Sequence, residues 1–235
     1  MEHFPLRTLF VAAVAATALT ASTARADIVV TTYPDWNGSS NVQSFGPQAT
    51  PTYGETFTNS PNYAALTSFT FWVQTKNTSP IDFRAYVYAW TGSGITGPAL
   101  FTSASLAMPG NPPSSGYQMV TVPTPGVSLA VGGQYVAFFS TLGESNALNA
   151  SGRFGLTNLN PGDSKALGGQ FVYNNGQDFA NLSSNTWNPG GPIGVPAFEL
   201  TFAVPEPSPL ALGALASVAF AAPVAFRRWR ARKVA

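Results

Sequence analysis

The run Ile81-Asp82-Phe83-Arg84-Ala85-Tyr86-Val87-Tyr88-Ala89-Trp90 alternates in character from end to end. In an extended chain Ile81, Phe83, Ala85, Val87 and Ala89 point one way, and Asp82, Arg84, Tyr86, Tyr88 and Trp90 the other. A helix would scatter the first set around its circumference, whereas a strand gathers it on one side. Shorter runs repeat the pattern. Phe69, Phe71 and Val73 alternate with Ser68, Thr70, Trp72 and Gln74, and Phe198, Leu200 and Phe202 alternate with Glu199 and Thr201. Val120 and Val122 follow Gln118 in the same rhythm. Tyr135 to Phe139 is apolar throughout, which predicts a central strand covered on both faces.

Between these runs the chain is punctuated by residues that make turns. Thr91-Gly92-Ser93-Gly94 ends one strand, Pro109-Gly110-Asn111-Pro112-Pro113 separates two more, and Gly132-Gly133 precedes Tyr135. Asn174-Asn175-Gly176 after Phe171-Val172-Tyr173 is a good hairpin signal. Asn188-Pro189-Gly190-Gly191-Pro192 introduces the final strand. No long stretch has helical periodicity. The expected fold is all-β, an antiparallel β-sandwich of jelly-roll type.

The two ends differ from this body. Residues 1–26 have the form of a secretory signal peptide: Arg7 is the basic start, Leu9 to Ala21 an apolar run, and Ala24-Arg25-Ala26 a small-x-small cleavage site. That implies passage through signal peptidase and the Sec export machinery, with 27–203 as the exported body. At the other end, residues 204–209 are Pro-rich. Leu210 to Phe226 carries no charge, and Ser217 is its one polar side chain. As a helix this span would rise ~26 Å, the short end of what crosses a bilayer. The 227–235 segment follows, with Arg227, Arg228, Arg230, Arg232 and Lys233, charges that stay cytoplasmic under the positive-inside rule. The expected β body is thus flanked by a signal peptide and a C-terminal transmembrane sorting helix.

Composition excludes several function classes. There is no cysteine, so packing alone stabilises the body. The one histidine, His3, lies in the signal segment, which leaves no mature Ser-His-Asp or Cys-His hydrolase and no zinc site built on His or Cys. The bases of 27–203 are Lys76, Arg84, Arg153 and Lys165. Its acids are Asp27, Asp35, Glu55, Asp82, Glu144, Asp163, Asp178 and Glu199. Four bases against eight acids leave −4, unsuited to a basic groove for nucleic acid.

Pro205-Glu206-Pro207, then an apolar segment, then an arginine-rich end together resemble the PEP-CTERM sorting signal over about residues 204–233. That resemblance implies an exported protein of a Gram-negative bacterium, processed by an exosortase-like membrane enzyme. Pro205, Glu206 and Pro207 would be its recognition motif. The implied path is transient anchoring in the inner membrane, then the cell surface or an exopolysaccharide-rich biofilm matrix. The body also resembles the sandwich domains found upstream of such tails, through Tyr53-Gly54-Glu55-Thr56-Phe57, the Phe83–Trp90 run and Leu129 to Val136. This second resemblance implies a fold and no activity.

Three kinds of site are open to the body. Tyr86, Tyr88 and Trp90, with Trp72 on a neighbouring strand, offer rings for stacking against sugar faces, and Arg84 offers donors for the hydroxyls. The same rings serve equally as core if loops or a second sheet cover them. Asp35-Trp36-Asn37-Gly38 and Asn174-Asn175-Gly176-Gln177-Asp178 carry oxygens of the kind calcium takes, and these are also ordinary turn makers. Paired carboxylates drawn from Glu55, Asp82, Glu144 and Glu199 would suit a glycan-active enzyme, although no spacing among them fixes a pair. The favoured expectation is a non-enzymatic structural or adhesive matrix protein that binds polysaccharide and needs no cofactor.

Overall fold

Alternation becomes architecture through thirteen strands among the described residues: β1 (Asp27–Thr31), β2 (Asn41–Phe45), β3 (Thr52–Thr58), β4 (Ala65–Thr75), β5 (Ile81–Trp90), β6 (Ile95–Thr102), β7 (Leu106–Met108), β8 (Gln118–Ser128), β9 (Gln134–Ser140), β10 (Gly152–Gly155), β11 (Phe171–Asn174), β12 (Asn188–Pro189) and β13 (Phe198–Ala203). The computed structural model describes residues 27–204 except 109, 111–115 and 191–193. The signal segment, Pro205-Glu206-Pro207, the 210–226 span and the basic cluster lie outside the described residues. Among the described residues no helix is long and apolar enough to cross a membrane.

Two antiparallel sheets face each other. The first runs β1-β13-β4-β10-β2, with β8 also paired to β4, and the second runs β12-β11-β3-β9-β5-β6, with β7 beside β5. The chain passes repeatedly between them, so neighbours within a sheet are mostly distant in sequence. β13, for example, lies between β1 and β4, with Phe198 opposite Phe71 and Asp27 opposite Ala203.

Odd-numbered residues of β5 face inward as the alternation predicts. Ile81, Phe83, Ala85 and Val87 are buried against Phe69, Phe71, Val73, Phe198, Leu200 and Phe202 of the opposite sheet. The interior is built largely of phenylalanine. Phe139 meets Phe83 at 4.5 Å, Phe71 at 5.1 Å and Phe154 at 5.8 Å between ring centroids. Each such ring contributes roughly 1.5–3 kcal/mol by leaving water, which substitutes for the absent disulfides. β9 is covered on both sides. Tyr135, Ala137 and Phe139 enter this core, and Val136 and Phe138 a second cluster outside the sheet.

One turn departs from expectation. β11 pairs antiparallel with β12 as a hairpin, but Asn174-Asn175-Gly176 does not join the two directly. Gly176 N donates to Asn174 Oδ1 at 2.7 Å, an Asx-type turn, but the chain then travels through residues 175–187 before β12 returns beside β11. A two-residue turn would have left β5 and β9 uncovered. The longer excursion carries Phe179, Leu182 and Trp187 over them. Asn188–Pro189 likewise forms a short strand of its own rather than only a lead-in to β13.

Candidate functional site

The rings singled out by alternation divide between the sheets. Tyr86, Tyr88 and Trp90 stand on the outer face of the second sheet. Tyr86 packs on Phe138 at 5.1 Å and on Phe179 at 4.8 Å, and Trp90 meets Trp187 edge-on at 5.5 Å. Tyr86 and Trp90 are buried and Tyr88 is half-buried. The segment above them is tied down by its own polar groups. Asp178 Oδ1 accepts from Ala180 N at 2.9 Å, Trp187 Nε1 donates to Leu182 O at 3.0 Å, and Asn174 Nδ2 donates to Thr186 O at 3.3 Å. A platform for stacking needs open ring faces, and Tyr86 and Trp90 have spent theirs on a small second core. Arg84 remains exposed, but its Nε donates to Glu144 Oε1 at 2.6 Å.

Trp72 does not neighbour that stripe, because β4 belongs to the first sheet. It anchors a different aromatic group, one that alternation did not reveal. A 3-10 turn at Tyr33–Asp35 follows β1, with Pro34 fixing its first turn. This lays Tyr33 flat on Trp72, with ring centroids 4.4 Å apart and an interplanar angle of 18°. Trp36 follows at 6.1 Å from Tyr33 and meets Tyr117 edge-on at 4.7 Å. The Arg153 guanidinium lies 5.6 Å from the Tyr117 ring centroid, and its Nε donates to Gln74 Oε1 at 2.7 Å. Trp36 can lie against β10 only because residue 155 is glycine. A Cβ there would stand 2.8 Å from Trp36 Cζ2.

Above the buried Trp72 this group is open to water. Tyr33 is 47% exposed and Met119, opposite Trp72 across the β4–β8 pairing, is 63% exposed. Trp36 and Tyr117 are half-buried. Burial pushes the Tyr117 hydroxyl pKa up, with Arg153 opposing the shift. The surface therefore offers ring faces flanked by a guanidinium and by side-chain amides, the combination that packs against sugar C–H faces and holds hydroxyls.

The candidate acids are already engaged or separated. Glu55, on β3, is 1% exposed in the interior, and neither carboxylate oxygen has a hydrogen-bond partner among the described residues. Desolvation holds its pKa well above the usual carboxylate range. Glu144 is the opposite case. The Ser105 hydroxyl donates to its Oε2 at 2.6 Å and Arg84 to its Oε1, which together hold its pKa down. Asp82 lies nearby, its backbone paired with the Asn146 amide at 2.7 and 2.9 Å. Glu199 stands in the first sheet, between Thr31 and Thr70.

The two turns read as possible calcium ligands use their oxygens internally. Asp35 Oδ1 takes Lys165 Nζ at 2.7 Å, and Asn37 Oδ1 accepts from Ser39 N and Ser40 N at 2.9 and 2.7 Å. Asp178 Oδ2 takes Asn181 Nδ2 at 2.8 Å.

No protein-family model matches the chain, and no curated protein sequence matches it.

Proposed function

We propose that this chain is an exported cell-envelope or matrix protein whose β domain binds polysaccharide without catalysing a reaction. In this reading the PEP-CTERM-like tail delivers the domain. Sec export and signal peptidase act at 1–26, and an exosortase-like enzyme reads Pro205-Glu206-Pro207. The 210–226 span holds the chain in the inner membrane until that step, with Arg227, Arg228, Arg230, Arg232 and Lys233 inside. Release or re-anchoring then leaves the domain on the surface or in the matrix. We also read the winding as a jelly roll. What supports this is the strand order β1-β13-β4 and β8 in one sheet against β3-β9-β5-β6 in the other, the order left when a long antiparallel ribbon wraps around itself.

The observation that carries the binding role is the aromatic surface of Tyr33, Trp36 and Tyr117 beside Arg153, with Tyr33 seated on the buried Trp72. A chain this low in charge gains nothing in solubility from Tyr33 and Met119 at a sheet face, and a ligand surface accounts for them. No metal is required. The test is electrophoresis through native gels containing alginate, xylan or dextran. The wild-type protein is retarded by at least one polymer, Tyr33→Phe keeps that retardation, and Tyr33→Ala loses it without losing its fold. Equal mobility of wild type in all three gels, or of Tyr33→Ala and wild type, contradicts the role. Sorting is tested separately. Alanines at Pro205, Glu206 and Pro207 leave the C-terminus unprocessed in the native host, as read by mass spectrometry.

A further inference from the structure

Away from the aromatic surface, the outer side of the second sheet holds a cleft of about 340 Å³. Its walls include Thr56 and Thr58 of β3, Gln134 at the start of β9, Trp90 at the end of β5, and Gln170. We propose that this cleft is a second binding site, for a single neutral sugar unit or a polyol of that size.

Its volume is at the small end of ligand pockets, enough for one ring and not for a chain. Its lining contains no charged side chain among the described residues. What it does contain is neutral hydrogen-bonding capacity that faces solvent. The side-chain amides of Gln134, exposed, and Gln170, half-buried, line it, and each brings two donors and an acceptor. The Trp90 indole N–H has no acceptor among the described residues, in contrast with Trp36 and Trp187, whose indoles donate to Ser40 O and Leu182 O. Neutral amides and an indole edge match alternating hydroxyls and C–H groups. They leave a carboxylate or phosphate without a counter-charge, in a domain already at −4.

The site is also held in shape before any ligand arrives. The 159–170 loop that forms one wall is fastened to β3 through Thr58 N to Leu167 O at 3.1 Å, Thr56 N to Gln170 O at 3.0 Å and Gln170 N to Thr56 Oγ1 at 3.0 Å. The loop closes on itself through Gly162 N to Gly169 O at 2.7 Å. Gly162 and Gly168 take the left-handed φ values of +83° and +71° that a side chain resists, so this rim stays bare. Pre-formed walls lower the ordering cost of binding.

The experiment follows the glutamine side-chain amide resonances by NMR in the full-length chain held in detergent micelles. Methyl α-glucoside, methyl α-mannoside and methyl β-galactoside are the probes, with glucuronate as the charged control. At least one neutral glycoside shifts the Gln134 and Gln170 amides saturably below about 100 mM. Glucuronate binds at least tenfold more weakly. Gln134→Leu and Gln170→Leu each weaken the neutral ligand about tenfold, and Tyr33→Ala leaves it unchanged. That last arm separates this site from the aromatic surface, because the cleft stands or falls independently of polysaccharide retardation. The proposal is overturned if no glycoside shifts these amides, if glucuronate binds equally well, or if the glutamine variants bind like wild type.

Discussion

The outer faces of the two sheets start from the same kind of sequence and end differently. On the second sheet, Tyr86 and Trp90 of β5 lie beneath Phe179, Leu182 and Trp187. On the first, Trp72 of β4 is buried as deeply as Trp90, but the ring stacked on it, Tyr33, is itself 47% exposed. A strand fixes which side of a sheet a ring occupies. Whether the ring is then core or surface depends on what a distant connection lays over it. The 13-residue excursion between β11 and β12 covers one face with buried rings, and the three-residue turn after β1 covers Trp72 with an exposed one.

The largest test of this contrast is stability. Trp187→Ala and Trp90→Ala each empty a packed position of the second cluster and are expected to cost about 3–5 kcal/mol in chemical denaturation. Tyr33→Ala, on the open face, is expected to cost about 1 kcal/mol or less. Comparable losses at Tyr33 and Trp90 would erase the distinction between the faces.

A pH dependence comes next, from the covered side of β3. Glu55 has a folded pKa raised by desolvation, so the unfolded chain releases its proton first as pH rises. The Glu55 contribution to stability is therefore fullest below the ordinary carboxylate range and falls above it, by about 1.4 kcal/mol per pH unit until the folded carboxyl itself ionises. Glu55→Gln keeps the shape without the charge and flattens that slope. Thermal melts of both proteins between acid and mildly alkaline pH measure it, and parallel curves would mean Glu55 is not isolated in the interior.

Gly155→Ala sharpens the open face. Its backbone accommodates alanine, but the new methyl collides with Trp36 and displaces the ring. Polysaccharide affinity is expected to drop about tenfold, equivalent to about 1.4 kcal/mol, with little change in melting temperature. Smallest of all is Arg84→Ala. It removes a half-exposed ion pair with Glu144 and is expected to cost about 0–1 kcal/mol, less still in high salt.

How much of this was legible beforehand follows from the range of each interaction. Period-two alternation is local, so Ile81–Trp90, Phe69–Val73 and Phe198–Phe202 declared their strands and inward faces, and Tyr135–Phe139 declared a strand covered twice. The covering itself is not local. Nothing within five residues of Trp90 indicates that Trp187 will sit against it. Tyr33 and Trp36 were hidden for another reason. They stand in Thr32-Tyr33-Pro34-Asp35-Trp36-Asn37-Gly38, a stretch whose proline, aspartate, asparagine and glycine announce a turn and nothing more. Two large aromatics within such a turn were the available signal, since a turn made only for reversal has no need of them. The Gln134–Gln170 cleft left no trace at all, because polar residues 36 positions apart share no pattern.

Hydroxyl-radical footprinting read by mass spectrometry compares the two faces in one protein, with and without the retarding polysaccharide. Tyr33, Trp36 and Met119 are expected to oxidise rapidly, with Tyr86 and Trp187 slow. Adding the polymer is expected to slow Tyr33 and Trp36 at least several-fold. Rapid oxidation of Tyr86 and Trp187, or Tyr33 and Trp36 as reactive with the polymer as without it, would contradict the account.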